Sequence, residues 1–229
     1  MARKLILGLS LFSLLAIPTP NAIADKNVLV FAASSLTDSY SVLGKRFERL
    51  NPGIKVSFSF QSSSVLANQI NQGAPADIFV SAEPFVGGED YLINRVVIAV
   101  PINSKITKAT DLNNRTWIQC AESVPCGKAA SLALVGEGIK TPAASLEPRV
   151  SSVVSKLLSG EVDAAIIYRT DVIANSKRIR AIEFANTKAA VTKYQSAKLT
   201  NDRSVNAFYA YLKSKSSMNY LQRRGFETK

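Results

Sequence analysis

The sequence contains no histidine and only two cysteines among its 229 residues. The lack of histidine excludes Ser-His-Asp and Cys-His catalysis and any metal site that uses imidazole ligands. Two cysteines are too few to form a cysteine cage around a metal ion. In an oxidising compartment Cys120 and Cys126 could form one disulfide with a short loop. The sequence leaves that pairing open, because it depends on how closely the two Cβ atoms approach.

Long apolar segments are also scarce. The apolar run Leu5–Ile17 follows two basic residues and precedes a small-x-small site that ends at Ala24. This order is typical of a secretory signal peptide, and the run is too short to span a bilayer comfortably. We therefore predict a signal peptide over residues 1–24, cleavage before Asp25 and an exported protein. An uncleaved membrane anchor is the alternative.

Acidic residues are few: the chain has 17 Asp and Glu against 28 Lys and Arg, a formal net charge of +11. Loss of Arg3 and Lys4 with the signal peptide would leave +9. The basic residues are scattered, without a dense basic arm or a recognised nucleic-acid motif. The positive charge therefore either steers an anionic ligand over long range or forms a solvated surface without such a role.

The apolar patterns alternate between strand and helix. "NVLVFAA" (Asn27–Ala33) and "ADIFVSA" (Ala76–Ala82) read as buried strands, and "IKVSFSF" (Ile54–Phe60) alternates as a strand with one apolar face. Later in the chain, "RVVIAVP", "TWIQCAE" and "AAIIY" repeat the theme. Strands that alternate with helices predict an α/β fold with largely parallel sheets. Two such groups in one chain predict two lobes with a cleft between them.

Small polar residues follow the predicted strands. Ser34 and Ser35 follow the first strand, Ser62–Ser64 follow the second, and "SVPCG" follows the strand around Trp117. Ligands of open α/β sheets bind at the carboxyl ends of strands, where helix N-termini offer unpaired N–H groups to an anion. Serine hydroxyls add further donors, so the pattern indicates an oxyanion site made of neutral groups. The alternative is plain helix capping, with Ser35 or Ser64 as the cap.

In this order, "FAASSL", "SSS…GAPADIFVSA", "VPCGKAA" and "AAIIY" resemble the periplasmic molybdate-binding proteins (ModA family) of ABC importers, over nearly all of the chain after the leader. The resemblance implies a two-lobed periplasmic-binding-protein (Venus flytrap) fold, each lobe a mostly parallel sheet flanked by helices. It also implies that residues 25–82 form the first part of lobe 1, 83–188 form lobe 2, and 189–229 return to lobe 1.

The same resemblance implies a ligand shell of five residues. Ser35 and Ser63 would donate hydroxyls, Cys126 and Val150 backbone N–H groups, and Tyr168 its phenol. Each has a structural alternative, such as a disulfide for Cys126 or core packing for Val150. The implied protein is a periplasmic solute carrier and not an enzyme. As a monomer without a cofactor, it would deliver molybdate or tungstate to a membrane permease.

The sequence departs from the family pattern after Ala82. "EPFVGGEDYLINRVVIAVP" reaches the next strand about one helix too early, which predicts a shortened crossover near residues 83–94. Three other functions stay open: an importer protein for sulfate, phosphate or an organic acid, an exported serine hydrolase using Ser34 or Ser35, and the ligand-sensing domain of a regulator. The lack of a Ser-x-x-Lys motif at that turn and of a DNA-binding segment argues against the last two.

Overall fold

The structure is a computed structural model that describes residues 26–228; the predicted signal peptide and its cleavage site lie outside this range. The strands are β1 Lys26–Ala33, β2 Ile54–Gln61, β3 Ile78–Ser81, β4 Glu89–Pro101, β5 Trp117–Cys120, β6 Ser145–Glu147, β7 Ala164–Tyr168, β8 Ile179–Ile182, β9 Val191–Lys198 and β10 Glu227–Thr228. The α-helices are α1 Thr37–Leu50, α2 Ser63–Asn71, α3 Pro125–Leu134, α4 Val150–Ser159, α5 Arg169–Ala174, α6 Arg203–Leu212 and α7 Lys215–Arg223. None of the helices in residues 26–228 is long and apolar enough to cross a bilayer.

Two lobes form, each around its own core. In the first lobe, β2, β1 and β3 are parallel neighbours, and β9 continues the sheet antiparallel to β3. In the second, β6, β5 and β7 are parallel, and β4 lies antiparallel to β7. The core of the first lobe includes Leu43 and Phe208, and that of the second includes Ile118 and Ile166. The predicted two-lobed α/β fold is confirmed. Its pairing is mixed: β1–β3 and β5–β7 pair in parallel, and β4, β8, β9 and β10 pair antiparallel with their neighbours.

Strand β4 belongs to both sheets. Its first half, Glu89–Arg95, pairs with β9, and its second half, Val96–Ala99, pairs with β7. The sequence pattern predicted a strand only over the apolar second half. The first half carries polar residues such as Asp90 and Asn94, so pairing with β9, rather than an apolar period, makes it a strand.

The connection between β3 and β4 is short. Residues 82–88 lead directly from one strand to the next, as the early arrival of the β4 pattern suggested. The backbone N–H of Phe85 donates to Gln195 Oε1 at 3.0 Å, and the Phe85 ring packs on Phe79 with centroids 4.7 Å apart. A side chain at Gly88 would come within 2.6 Å of Gln195 Oε1, so the Gln195 side chain would have to shift where this turn approaches β9.

Candidate functional site

The carboxyl ends of three parallel strands from each lobe meet at one cavity between the lobes. Strands β1, β2 and β3 reach it from the first lobe, and β5, β6 and β7 reach it from the second. The cavity together with its open mouth has about 240 Å³ of space not occupied by protein atoms. All five residues that the resemblance singled out line it: Ser35, Ser63, Cys126, Val150 and Tyr168.

Three helices, α2, α3 and α4, begin at the wall of this cavity. The residues that precede them, Ser62, Val124 and Arg149, are all described and make no side-chain capping hydrogen bond. Ser64 lies within the first turn of α2 rather than at its cap, because the helix begins at Ser63. The first N–H groups of these helices are therefore not occupied by a cap, and they carry the positive end of the helix dipole.

The helices α6 and α7 begin differently. Asp202 accepts the N–H of Ser204 at 2.7 Å, and Ser214 accepts the N–H of Ser217 at 3.3 Å. Neither helix start lines the cavity. Among the described helices, capping side chains stand at the starts of α6 and α7, outside the cavity, and none stands at the starts of α1, α2, α3 and α4, of which the last three lie on its wall. Unpaired N–H groups at a helix start form a site for an anion.

The two serines are held by partners that fix their oxygens. Ser63 is only 2% exposed, and its Oγ accepts the backbone N–H of Ala82 at 2.8 Å. Since a hydroxyl can donate once and accept twice, this bond leaves the Ser63 proton available to a ligand. Ser35 Oγ lies 2.7 Å from the phenol oxygen of Tyr194, a fully buried residue of β9. Either oxygen can be the donor of that bond.

Tyr168 ends β7 with its side chain buried. Its phenol oxygen lies 3.1 Å from Thr192 Oγ1, also on β9. Burial raises the pKa of the Tyr168 phenol well above its ordinary value, with the neighbouring Tyr194 adding to the effect. The phenol therefore keeps its proton at neutral pH and can serve as a donor.

Cys126 lies in the first turn of α3 and forms a disulfide with Cys120, with the two Cα atoms 5.7 Å apart. The next residue, Gly127, packs against the end of β5 so closely that any side chain would overlap the carbonyl group of Ala121. Glycine at this position lets the helix start sit on the strand end. Because the sulfur is in a disulfide, no thiolate stands at the helix start to repel an anion.

Comparisons with known proteins agree with this geometry. The family model described as bacterial extracellular solute-binding protein matches residues 28–227. The chain belongs to this family. It is 32% identical to the molybdate-binding protein ModA of Escherichia coli K12, covering 91% of this chain and 92% of that protein. It is 29% identical to ModA of Mycobacterium tuberculosis H37Rv, covering 91% and 86%.

Solved structures show the same fold. The periplasmic molybdate-binding protein of Azotobacter vinelandii aligns with a TM-score of 0.73 at 17% identity, covering 88% of this chain and 99% of that one. The sulfate-binding protein SubI of Mycobacterium tuberculosis also aligns with a TM-score of 0.73, at 12% identity over 89% and 87%. The resemblance to the ModA family is thus confirmed. The chain is therefore a solute-binding protein, and its family consists of binding proteins rather than enzymes.

The sequence pattern missed the second row of polar residues in this solute-binding protein. Thr192 and Tyr194 are buried on β9 and contact the predicted ligand residues. Strand β9 alternates between buried and exposed positions, but its buried positions are polar or aromatic, including Ser196. A period of two was therefore present in "VTKYQSAK", although no apolar face accompanied it.

A second cavity, here called the acidic opening, shares Ser35 and Val150 with the first and is also lined by Asp38 and Asp171. The carboxylate of Asp171 accepts the backbone N–H of Tyr168 at 3.2 Å. Burial raises the pKa of Asp171 to about 7, and the charge of Asp38 adds to the shift. The cleft is therefore acidic at this opening. Within residues 26–228, no three Cys, Asp or Glu side chains are grouped so that they could hold a metal ion.

Proposed function

We propose that this solute-binding protein captures molybdate, or the similarly sized tungstate, in the cavity between its lobes and delivers it to the permease of an ABC importer. One observation carries the proposal: uncapped helix starts and hydroxyl groups from both lobes converge on a single cavity. Such a set of neutral donors suits a tetrahedral dianion. The naming of relatives as molybdate-binding proteins supports the choice of ligand.

The proposed shell consists of five donors. Ser35, Ser63 and Tyr168 would donate hydroxyl protons, and Cys126 and Val150 would donate backbone N–H groups at the starts of α3 and α4. Ser35 and Ser63 belong to the first lobe and the other three to the second, so the anion binds the closed form more tightly than the open one. The anion is a transported ligand and not a cofactor.

We also propose that closure bends the chain at β4 and β9, which run between the two lobes. The first lobe would comprise residues 25–82 and 189–229, and the second residues 83–188. The core clusters, one within 96–190 and another within 28–92 and 194–226, support a first lobe made of two separate segments. The core of the first lobe extends to Leu92, past the proposed limit at residue 82. Export to the periplasm after removal of residues 1–24, and a monomeric state, belong to the same proposal.

The test is the melting temperature of the exported chain, residues 25–229, with molybdate, tungstate, sulfate or phosphate added at equal ionic strength. A ligand at about a thousand times its dissociation constant stabilises the fold by roughly 4 kcal/mol. Equal ionic strength and millimolar concentrations are needed because sulfate and phosphate also stabilise proteins by exclusion from their surface. We expect a large rise with molybdate and tungstate only. A comparable rise with sulfate would assign a different oxyanion, and no rise with any of the four would refute the proposal.

A further inference from the structure

Two side-chain contacts lie beside the strand ends that form the site. Arg149 Nη1 donates to Gln61 Oε1 at 3.3 Å, linking the start of α4 to the end of β2. Lys128 in α3 forms an ion pair with Glu83, which follows β3. Arg149 and Gln61 belong to different lobes, whereas Glu83 lies at the proposed limit between the lobes, in the connection that follows β3.

Arg149 differs from the other cavity residues in its charge. Among the described residues that line the cavity, it alone carries a charge. Its backbone is extended, it directly precedes the first turn of α4, and its Nε approaches Ser152 Oγ at 3.4 Å. A guanidinium has five N–H donors, of which these two bonds use two. The exposed side chain thus has donors left over for an anion or for water.

The two adjoining cavities carry charges of opposite sign. Arg149 lines the first, and Asp38 and Asp171 line the acidic opening beside it. A cleft lined by charge of one sign focuses the field and raises the local concentration of an oppositely charged ligand. A dianion is therefore attracted at the cavity that Arg149 lines and repelled at the acidic opening.

We propose that Arg149 is the gate residue of the anion site. In the closed form its guanidinium bridges to Gln61 and slows the escape of the anion; in the open form its charge draws a dianionic oxyanion to the mouth. The inference rests on the proposed function, since it assumes that the cavity takes such an anion. It adds a cationic positioning residue to a shell otherwise made of neutral donors.

The experiment follows closure by fluorescence energy transfer between dyes attached through Lys55→Cys and Leu146→Cys. These exposed positions lie on the outer strands β2 and β6 of the two lobes. The native cysteines do not react because they form the disulfide. In this background, molybdate is mixed in a stopped-flow instrument with each of four variants: Arg149→Gln, Arg149→Lys, Gln61→Ala and the double variant Arg149→Gln/Gln61→Ala. Arg115→Gln is the control, because it removes one positive charge from the second lobe away from the cavity.

We expect Gln61→Ala to raise the dissociation rate about 2- to 10-fold, the loss of one hydrogen bond between the lobes. Arg149→Gln raises it similarly, and the double variant adds little, because both changes break the same contact. Arg149→Gln also lowers the association rate about 3-fold at low salt, an effect that fades as salt screens the charge. Arg149→Lys keeps the association rate, and Arg115→Gln changes neither rate.

The gate would be overturned if the effects of Gln61→Ala and Arg149→Gln on the dissociation rate add in the double variant. It would also be overturned if the association rate of Arg149→Gln depends on salt in the same way as that of Arg115→Gln. Either result would leave the proposed function intact. If the wild-type chain binds none of the four oxyanions, the proposed function has failed instead. The gate is then judged on the energy transfer without ligand. Gln61→Ala and Arg149→Gln should each reduce the ratio of closed to open form about 2- to 10-fold, and an unchanged ratio would refute it.

Discussion

Replacement of Ser63 by alanine tests both the structural and the binding role of one hydroxyl. The Ser63 oxygen accepts the buried N–H of Ala82 at 2.8 Å, so its removal leaves that N–H without its partner. An unpaired buried donor costs about 1–3 kcal/mol of unfolding free energy. For a chain of this size the melting temperature should fall by roughly 2–4 °C for each kcal/mol. This loss is expected without any ligand.

The same substitution removes a donor from the proposed ligand shell. A hydrogen bond to a charged partner contributes about 1.5–3 kcal/mol, so the dissociation constant for molybdate should rise about 10- to 150-fold. Isothermal titration calorimetry measures the affinity, and urea unfolding without ligand measures the stability. Ser64→Ala is the matched control, because Ser64 is the next residue of α2 and does not line the cavity. A stability loss in Ser63→Ala with unchanged affinity would show that this hydroxyl only supports the Ala82 turn and would refute its place in the shell.

Two further predictions concern the disulfide and the acidic opening. Replacing Cys120 and Cys126 together by alanine should lower the unfolding free energy by about 2 kcal/mol, as expected for so short a loop. The molybdate dissociation constant should change less than about tenfold, because the proposed donor at Cys126 is a backbone N–H. A far larger affinity loss in a folded variant would assign the role to the sulfur. Because the pKa of Asp171 is raised from 3.8 to about 7, the native state holds this proton more tightly than the unfolded chain, and unfolding free energy should fall as pH rises between these values. Asp171→Asn should remove this pH dependence of the unfolding free energy, which urea unfolding curves at several pH values measure. It should also tighten molybdate binding above about pH 7, where the wild-type carboxylate is ionised. An affinity that stays unchanged there would mean that the acidic opening does not act on the anion.

Elements with a strong local pattern were predictable from the sequence. The continuous apolar run of β1 and the stripe of α4 were identified because neighbouring residues set both the period and the burial. The end of α4 was also local: Gly160 adopts φ of 82°, a left-handed conformation that glycine accepts without strain. The first half of β4 and the polar strand β9 were not identified. Both are strands because of partners far along the chain, and their own residues show little apolar alternation.

The candidate site divides in the same way. The turns that carry Ser35, Ser63 and Cys126 follow recognisable strands, so the sequence and its family resemblance could name them. The partners of these residues were not predictable. Ser35 meets Tyr194 across 159 residues of chain, and Ser63 meets the N–H of Ala82 only because β2 and β3 end at the same edge of one sheet.

The sequence alone determined the order of the strands and helices that have a strong apolar pattern, the small polar residues at strand ends and the lack of histidine chemistry, because each depends on residue type and local spacing. The tertiary structure decided which oxygens are already occupied and which protons are left to donate. It also decided that Arg149 meets Gln61 at the mouth of the cleft while Asp38 and Asp171 line the acidic opening. These features depend on the distances between side chains that folding brings together from both lobes, and no local pattern encodes such distances.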